Sequence, residues 1–321
     1  MLALIQITPW HWAAFVLFVL VCIAIDMGAF SRQARAVTFR EALVWSAVWF
    51  TLAMLFAWLL LPLRGSEEAT EFLTGYLIEL SLSLDNILVI ALIFAAFQVP
   101  LEFQRRVLVW GILGALAMRG VMIGAGAALV HRFNWTLYIF GAFLVVTGAK
   151  MLFSKKGSVE PEKNPVMRQV RKVCPVSPKL DGQKFLTTYQ GRRALTPLAL
   201  VLIMVETTDL IFALDSVPAV FAVTQKAFIV FTSNVFAILG LRSLYFLLAG
   251  AIGLFRYLTA GLSLVLVFVG IKMLLDPHAH PPRWFQMEIA TSASLMIVAA
   301  ILVIAIGLSI LVARREKVRL T

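Results

Sequence analysis

Apolar runs of roughly 20 residues recur along this chain from about residue 10 to about residue 313, separated by short polar breaks. A run of that length is what an α-helix needs to cross the ~30 Å hydrocarbon core of a bilayer. Every backbone N–H and C=O inside hydrocarbon has to be satisfied within its own segment, so these runs are expected to fold as helices. Composition excludes the soluble alternative: 61% of the 321 residues are hydrophobic and 14% charged, too little polar surface to coat a globule in water. The expected fold class is therefore all-α, a polytopic membrane protein embedded in the lipid bilayer.

The runs and their proline punctuation predict about nine transmembrane helices, at 10–30, 40–62, 71–97, 107–131, 134–153, 196–224, 227–250, 256–275 and 286–313. They form one transmembrane domain over 1–321. Its only long polar insertion is a basic loop at 154–195, with ten Lys/Arg from Lys155 to Arg193 against Glu160, Glu162 and Asp181. Cytoplasmic loops carry the positive charge of membrane proteins. An outward N-terminus and a cytoplasmic C-terminus put this loop inside, together with Arg32, Arg35, Arg40, Arg105, Arg106, Arg256 and the tail residues Arg314, Arg315, Lys317 and Arg319. Only Arg64, Arg132, Lys226 and Arg283 then fall outside. The net charge of +11 is explained by this asymmetry, so nucleic acid is not expected as a partner. No Lys or Arg precedes Arg32, which makes the first run a retained helix and not a cleaved signal. Within the loop, Lys184 to Leu195 alternates about Gln190-Gly191, the pattern of a short hairpin; a disordered basic linker near anionic headgroups is the other reading.

Two stretches of the chain repeat. Glu79-(x5)-Asp85-Asn86 is answered by Asp209-(x5)-Asp215-Ser216, Arg119 by Arg242, and Thr147-Gly148-Ala149-Lys150 by Val269-Gly270-Ile271-Lys272. The units, 71–153 and 196–275, hold three helices each, and an odd number makes the second enter the membrane from the opposite face. Inverted repeats of this kind place a binding site near the bilayer midplane in secondary transporters. The helices in 10–62 and 286–313 are additional to the repeat.

Glu79, Asp85, Glu206, Asp209 and Asp215 all fall inside predicted spans, where a central acid costs about 2.5–3.5 kcal/mol. Arg119 and Arg242 are the comparably deep cations and are expected to balance part of that charge, while Lys150 and Lys272 lie near helix ends and can snorkel to the interface. The excess has to be removed by protons or by bound cations. Asp209 and Asp215 are 240° apart on an ideal helix, so a single ion could reach both only if the helix unwound or kinked, with Pro218 as a cause. The donor set is oxygen only, with Asn86, Ser216, Thr207 and Thr208 as neutral partners, which suits Mg²⁺, Ca²⁺ or Mn²⁺. The competing structural reading is that the acids only pair with Arg119 and Arg242.

Other features read more simply. Cys22 and Cys174 form no CxxC or zinc pattern. Asp26 is an interfacial acid, and His278 and His280 sit on a solvated turn. The small residues Gly111, Gly114, Gly120, Gly124 and Gly126 fit close helix packing, within the chain or across a homodimer. No nucleophile–base pair or phosphate-binding motif accompanies the acids, so no enzyme activity is expected, and no tightly bound cofactor.

The segments GYLIELSLSLDNILV (75–89) and VETTDLIFALDSVPAVFAVT (205–224) resemble the TerC family of bacterial membrane proteins, closest to its Alx branch. RRVLVWGILGALAMR (105–119), LYIFGAFLVVTGAKM (137–151), TSNVFAILGLRSLYFLLAG (232–250) and LVFVGIKML (266–274) extend the resemblance over most of the chain. It implies a bacterial inner-membrane protein of manganese homeostasis, with Mn²⁺ as the substrate ion, exported through membrane carboxylates. Family labels also mention tellurium resistance and redox modulation. Leu80 stands where that branch often carries a Lys, which leaves one fewer cation near Glu79. The expectation is a divalent cation transporter working by alternating access, with metal ligands Glu79, Asp85, Asn86, Glu206, Asp209, Asp215 and Ser216. A membrane-bound redox or stress-response factor and an accessory subunit with structural ion pairs are the alternatives.

Overall fold

The computed structural model describes residues 7–29, 37–133, 135–153, 165–248, 257–276, 286–287 and 289–320, with the side chains of 26–29 and 313–320 left aside. Arg32, Arg35, Arg256, His278, His280 and Arg283, and the side chains of Asp26 and the basic tail, lie outside the described residues.

The chain is helical throughout its apolar runs: α1 (Pro9–Ala29), α2 (Phe39–Arg64), α3 (Ser66–Ala96), α4 (Leu101–Arg132), α5 (Trp135–Phe153), α6 (Pro165–Val173), α7 (Pro197–Phe221), α8 (Ala227–Leu248), α9 (Leu258–Leu275) and α10 (Thr291–Leu320). Among the described residues eight of these are long and apolar enough to cross a membrane, and α1 adds a shorter apolar stretch over Pro9–Ile25. The helix boundaries are set by local chemistry. Thr38 caps α2 through a reciprocal pair with Glu41, its hydroxyl accepting from Glu41 N–H and the Glu41 carboxylate accepting from Thr38 N–H. Thr196 accepts from the N–H of Ala199 to start α7, with Pro197 in the first turn, where its missing N–H costs nothing.

Apart from α10, which begins at Thr291 and not at 286, two starts differ from the sequence expectation. α3 begins at Ser66 and not at 71, because Gly65 alone, at φ 91°, turns the chain out of α2, and Glu68 ties back to Arg64 at 2.7 Å. α4 begins at Leu101 and not at 107, since Pro100 ends the preceding turn and leaves Arg105 and Arg106 inside the helix. A third difference concerns α7, which stays one continuous helix through Asp209 and Asp215. Pro218 falls in its last turn, and the unwinding or kink that one ion would need to reach both acids is not present.

α3 and α8 are the central helices, 72% and 78% buried, whereas α2 and α10 are 22% buried and turn most of their surface to lipid. α3 packs on α8, α4 on α7, and α5 on α9, while α10 lies along α3 and α9. Lipid is as apolar as a leucine side chain, so these contacts depend on close fit and not on exclusion of water. Gly261 of α9 supplies such a fit, for a Cβ there would meet that of Ala305 at 2.5 Å. Lys272, which sequence reasoning had at the interface, is buried; Lys150, its counterpart on α5, is exposed.

The described part of the basic loop is folded, which removes the disordered-linker alternative for residues 165–195. β1 (Leu186–Tyr189) and β2 (Arg192–Leu195) pair antiparallel as the expected hairpin. Its two-residue turn, Gln190 and Gly191, has φ of 51° and 74°, the left-handed pair that matches the twist of a hairpin. Thr187 and Lys184 bond to Asp181 and hold its carboxyl below the usual value. Met167 of α6 is buried in the cluster that also holds Leu198 and Val201 of α7, and Arg106 lies over the Phe185 ring, 5.2 Å from its centre. Loop, α6 and hairpin thus form a cap over one end of the bundle.

Candidate functional site

Arg119, 1% exposed, stands at the centre of the bundle on α4. Its Nη1 donates to Glu79 of α3, to Ser216 of α7 at 3.2 Å and to Asn234 of α8 at 3.3 Å. Its Nη2 donates to Asp209 of α7 at 3.1 Å, and Asn86 of α3 donates to the same carboxylate at 3.4 Å. Four helices are therefore tied through one guanidinium. A planar group with five fixed donors suits this task better than an ammonium. Glu79, Asn86, Ser216 and Asn234 are all at most 3% exposed, and Asp209, at 9%, is the cluster's most accessible member.

The remaining sequence candidates lie around this centre and do not join it. Asp85 turns toward α9, where its Oδ1 accepts from Thr259 at 3.1 Å. Asp215 turns toward α5 and bonds Thr147. Glu206, half-buried, shares the Asp209 face of α7 and lays its carboxylate over Gly114 of α4, in space that only a residue without a Cβ leaves open. Arg242 is buried on α8. Thr207 and Thr208 spend their hydroxyls on the carbonyls of Ile203 and Met204, one turn back in α7. The 240° separation of Asp209 and Asp215 is thus realised directly, the two acids addressing different neighbours. Among the described residues no three His, Cys, Asp or Glu side chains converge as a metal cluster. What the arrangement offers chemically is a buried centre in which two carboxylates meet one arginine, with three more acids within a turn or two along α3 and α7.

Sequence reasoning missed Asn234 and Thr259. Asn234 was legible in principle, as an amide eight residues before Arg242 in an apolar run; Thr259 carries no such signal. Of the glycine stripe of α4, Gly111 faces Val205, Gly114 faces Glu206 and Gly126 faces Phe221, all on α7, and Gly120 faces Phe231 of α8, while Gly124 has nothing within 4 Å.

A second charged group closes the end of the bundle opposite the cap. Lys226, between α7 and α8, reaches Glu71 at 3.1 Å and Glu67 and Glu68 at 3.5 Å, with Arg64 on Glu68. Burial works to lower the pKa of Lys226, but Glu71 beside it, with Glu68 and Glu67, outweighs burial and holds the ammonium above the ordinary lysine value.

Comparison with known proteins agrees with this architecture. The chain is 49% identical over 296 residues to "Uncharacterized membrane protein STKORF319" of Myxococcus xanthus, covering 92% of this chain and 93% of that one. It is 46% identical over 284 residues, 86% and 88% of the two chains, to a protein of Escherichia coli (strain K12) named "Putative membrane-bound redox modulator Alx". A membrane protein of Rickettsia bellii is 36% identical over 285 residues, 89% and 94% of the two chains. No solved structure matches the chain. Residues 64–317, from the end of α2 into α10, match the family described as "Integral membrane protein TerC family"; this integral membrane protein belongs to the TerC family.

Proposed function

We propose that the protein carries a divalent metal cation, Mn²⁺ in the direction of export, across the bacterial inner membrane by alternating access. The observation that carries this reading is the bridge from Arg119 to Glu79 and Asp209. These acids occupy matching positions in the two units 71–153 and 196–275, and around Arg119 two carboxylates meet one guanidinium. Such a centre retains negative charge in a low-dielectric setting, and a cation relieves it. All the donors are hard oxygens, which suit Mn²⁺ and Mg²⁺ more than thiophilic metals. Asn86 and Ser216 add neutral oxygen ligands, and Asp85, Asp215 and Glu206 provide acids along the route.

The packing supports an inverted repeat. A two-fold rotation that exchanges α3 with α7, α4 with α8 and α5 with α9 turns the α3–α8 contact into the α4–α7 contact and leaves the α5–α9 contact in place; all three are observed. Gly141 meets Gly270, and Gly148 meets Ser263; the same rotation interchanges these two contacts. In this reading the basic cap faces the cytoplasm by the positive-inside rule, with Lys226 and Arg64 outside, the N-terminus outward and the C-terminus inside.

The test is flux of Mn²⁺ beside Mg²⁺ and Ca²⁺ in liposomes holding the purified protein. Saturable Mn²⁺ flux that disappears in Glu79→Gln and in Asp209→Asn is expected. Undiminished flux in Asp209→Asn would sink the carboxylate pathway, and no flux from the wild type under any gradient would leave the redox, stress-response or accessory roles.

A further inference from the structure

The cluster around Arg119 has two levels. α3 and α7 run antiparallel, since Lys226 beyond the end of α7 pairs with Glu67, Glu68 and Glu71 at the start of α3, while Leu198 at the start of α7 shares a core cluster with Phe94 and Val99 at the end of α3. Between these ends, Glu79 and Ser216 meet at Nη1 of Arg119, and Asp209 and Asn86 meet at Nη2. From Glu79 to Asn86 is about 10 Å along the helix axis. The Glu79–Ser216 level therefore lies nearer Lys226, and the Asp209–Asn86 level nearer the cap.

Each level pairs a carboxylate from one unit with a neutral side chain from the other, and the first also holds Asn234 of α8 on Nη1. Glu79 precedes Asn86 by the interval that separates Asp209 from Ser216, so exchanging α3 with α7 exchanges the two levels. Each level also keeps one buried oxygen without a hydrogen-bond partner, Glu79 Oε2 in the first and Asn86 Oδ1 in the second, on side chains 0% and 3% exposed. A buried acceptor left unpaired is costly in a medium this apolar, and two such oxygens beside carboxylates call for positive charge.

We infer that the two levels are tandem cation half-sites that share Arg119 and are filled one at a time, the ion in one and the guanidinium in the other. This deepens the transport reading and takes its direction of flow from it. A divalent ion arriving at one level repels the guanidinium onto the other, so ion and arginine exchange places as the ion crosses. The Asp209–Asn86 level then loads from the cap side and the Glu79–Ser216 level from the Lys226 side. Arg119 is a tethered competitor for the site and sets its capacity at one ion.

The test counts ions. Purified full-length protein in detergent is titrated with Mn²⁺, and free Mn²⁺ is read from its electron paramagnetic resonance signal. The wild type is expected to bind one ion per chain, Arg119→Gln two, and Arg119→Gln with Asn86→Ala one again. Equal numbers for wild type and a folded Arg119→Gln variant overturn the half-sites. Binding is read here without flux, so a step from one to two in a protein that moves no Mn²⁺ would overturn the transport reading alone. Should Arg119→Gln not fold, as judged by size-exclusion chromatography, Asn86→Ala and Ser216→Ala decide in vesicles of known orientation. Asn86→Ala is expected to raise half-saturating Mn²⁺ about tenfold from the cap side only, and Ser216→Ala from the opposite side only. Equal shifts from both sides in either variant would refute two levels.

Discussion

Gly141 of α5 and Gly270 of α9 lie backbone to backbone: a Cβ on Gly270 would sit 2.8 Å from the Gly141 carbonyl oxygen, and one on Gly141 would sit 3.0 Å from that of Gly270. Two turns along, Gly148 makes the matching approach to the carbonyl of Ser263, at 2.8 Å. The α5–α9 crossing is thus fixed by main chain, which unlike a side chain has no second rotamer to adopt.

Gly270→Ala should therefore destabilise the protein by about 1–3 kcal/mol, since its methyl group would meet backbone that cannot yield. Thermal unfolding in detergent reads the loss. Gly307→Ala in α10, where nothing lies within 4 Å, serves as the control and should unfold no earlier than the wild type.

Gly114→Ala should behave in the opposite way. The atoms in its path are the carboxylate end of Glu206, which can swing aside, so thermal stability should stay within about 1 kcal/mol of wild type. Mn²⁺ flux should fall, as it should in Glu206→Gln, because the acid has left its place beside Asp209. Full flux with Glu206 displaced would remove that residue from the pathway.

Lys226→Met should lower the unfolding temperature at neutral pH, by no more than about 1 kcal/mol of stability, because the group is partly solvated. The folded-state pKa of Lys226 is raised, so its contribution is complete below the unfolded value of 10.5 and is lost as pH climbs through the folded value. The gap between variant and wild type should therefore close at strongly alkaline pH. A gap that persists unchanged at strongly alkaline pH would contradict the cluster.

Met167→Ala should loosen the cap, at a cost of about 2–5 kcal/mol if the site cannot collapse. Hydrogen exchange should quicken in 165–195 and leave α3 and α8 protected. Unchanged protection in the hairpin would mean that α6 does not hold it down.

Much of this was legible in the sequence because the signals are local. The apolar runs, the Gln190-Gly191 turn and the different faces of Asp209 and Asp215 follow from helix pitch and backbone stereochemistry. The grouping of the acids was not, because it depends on which neighbour each face meets: Asp85 and Asp215 are claimed by Thr259 and Thr147, and Glu79 and Asp209 by Arg119. Pro218 read as a break because a proline signals one locally; it does deprive the Leu214 carbonyl of its partner, but it stands beyond Asp215 and close to the end of α7 at Phe221, so the helix stops soon after it and stays intact between the two acids. Lys272 read as a snorkelling residue because its place near the end of α9 carries no local sign of how that end packs, and in the fold it is buried.

That fold-back of α10 has a consequence for direction. Two conformations interchanged by a perfect two-fold rotation have equal energy, and a carrier built so would dwell equally on its two faces. α10 packs along α9 and α3 and has no comparable contact with α5. In the proposed alternating-access cycle the resting population would consequently favour one face, and the helix that supplies this bias stands outside both halves of the proposed machine.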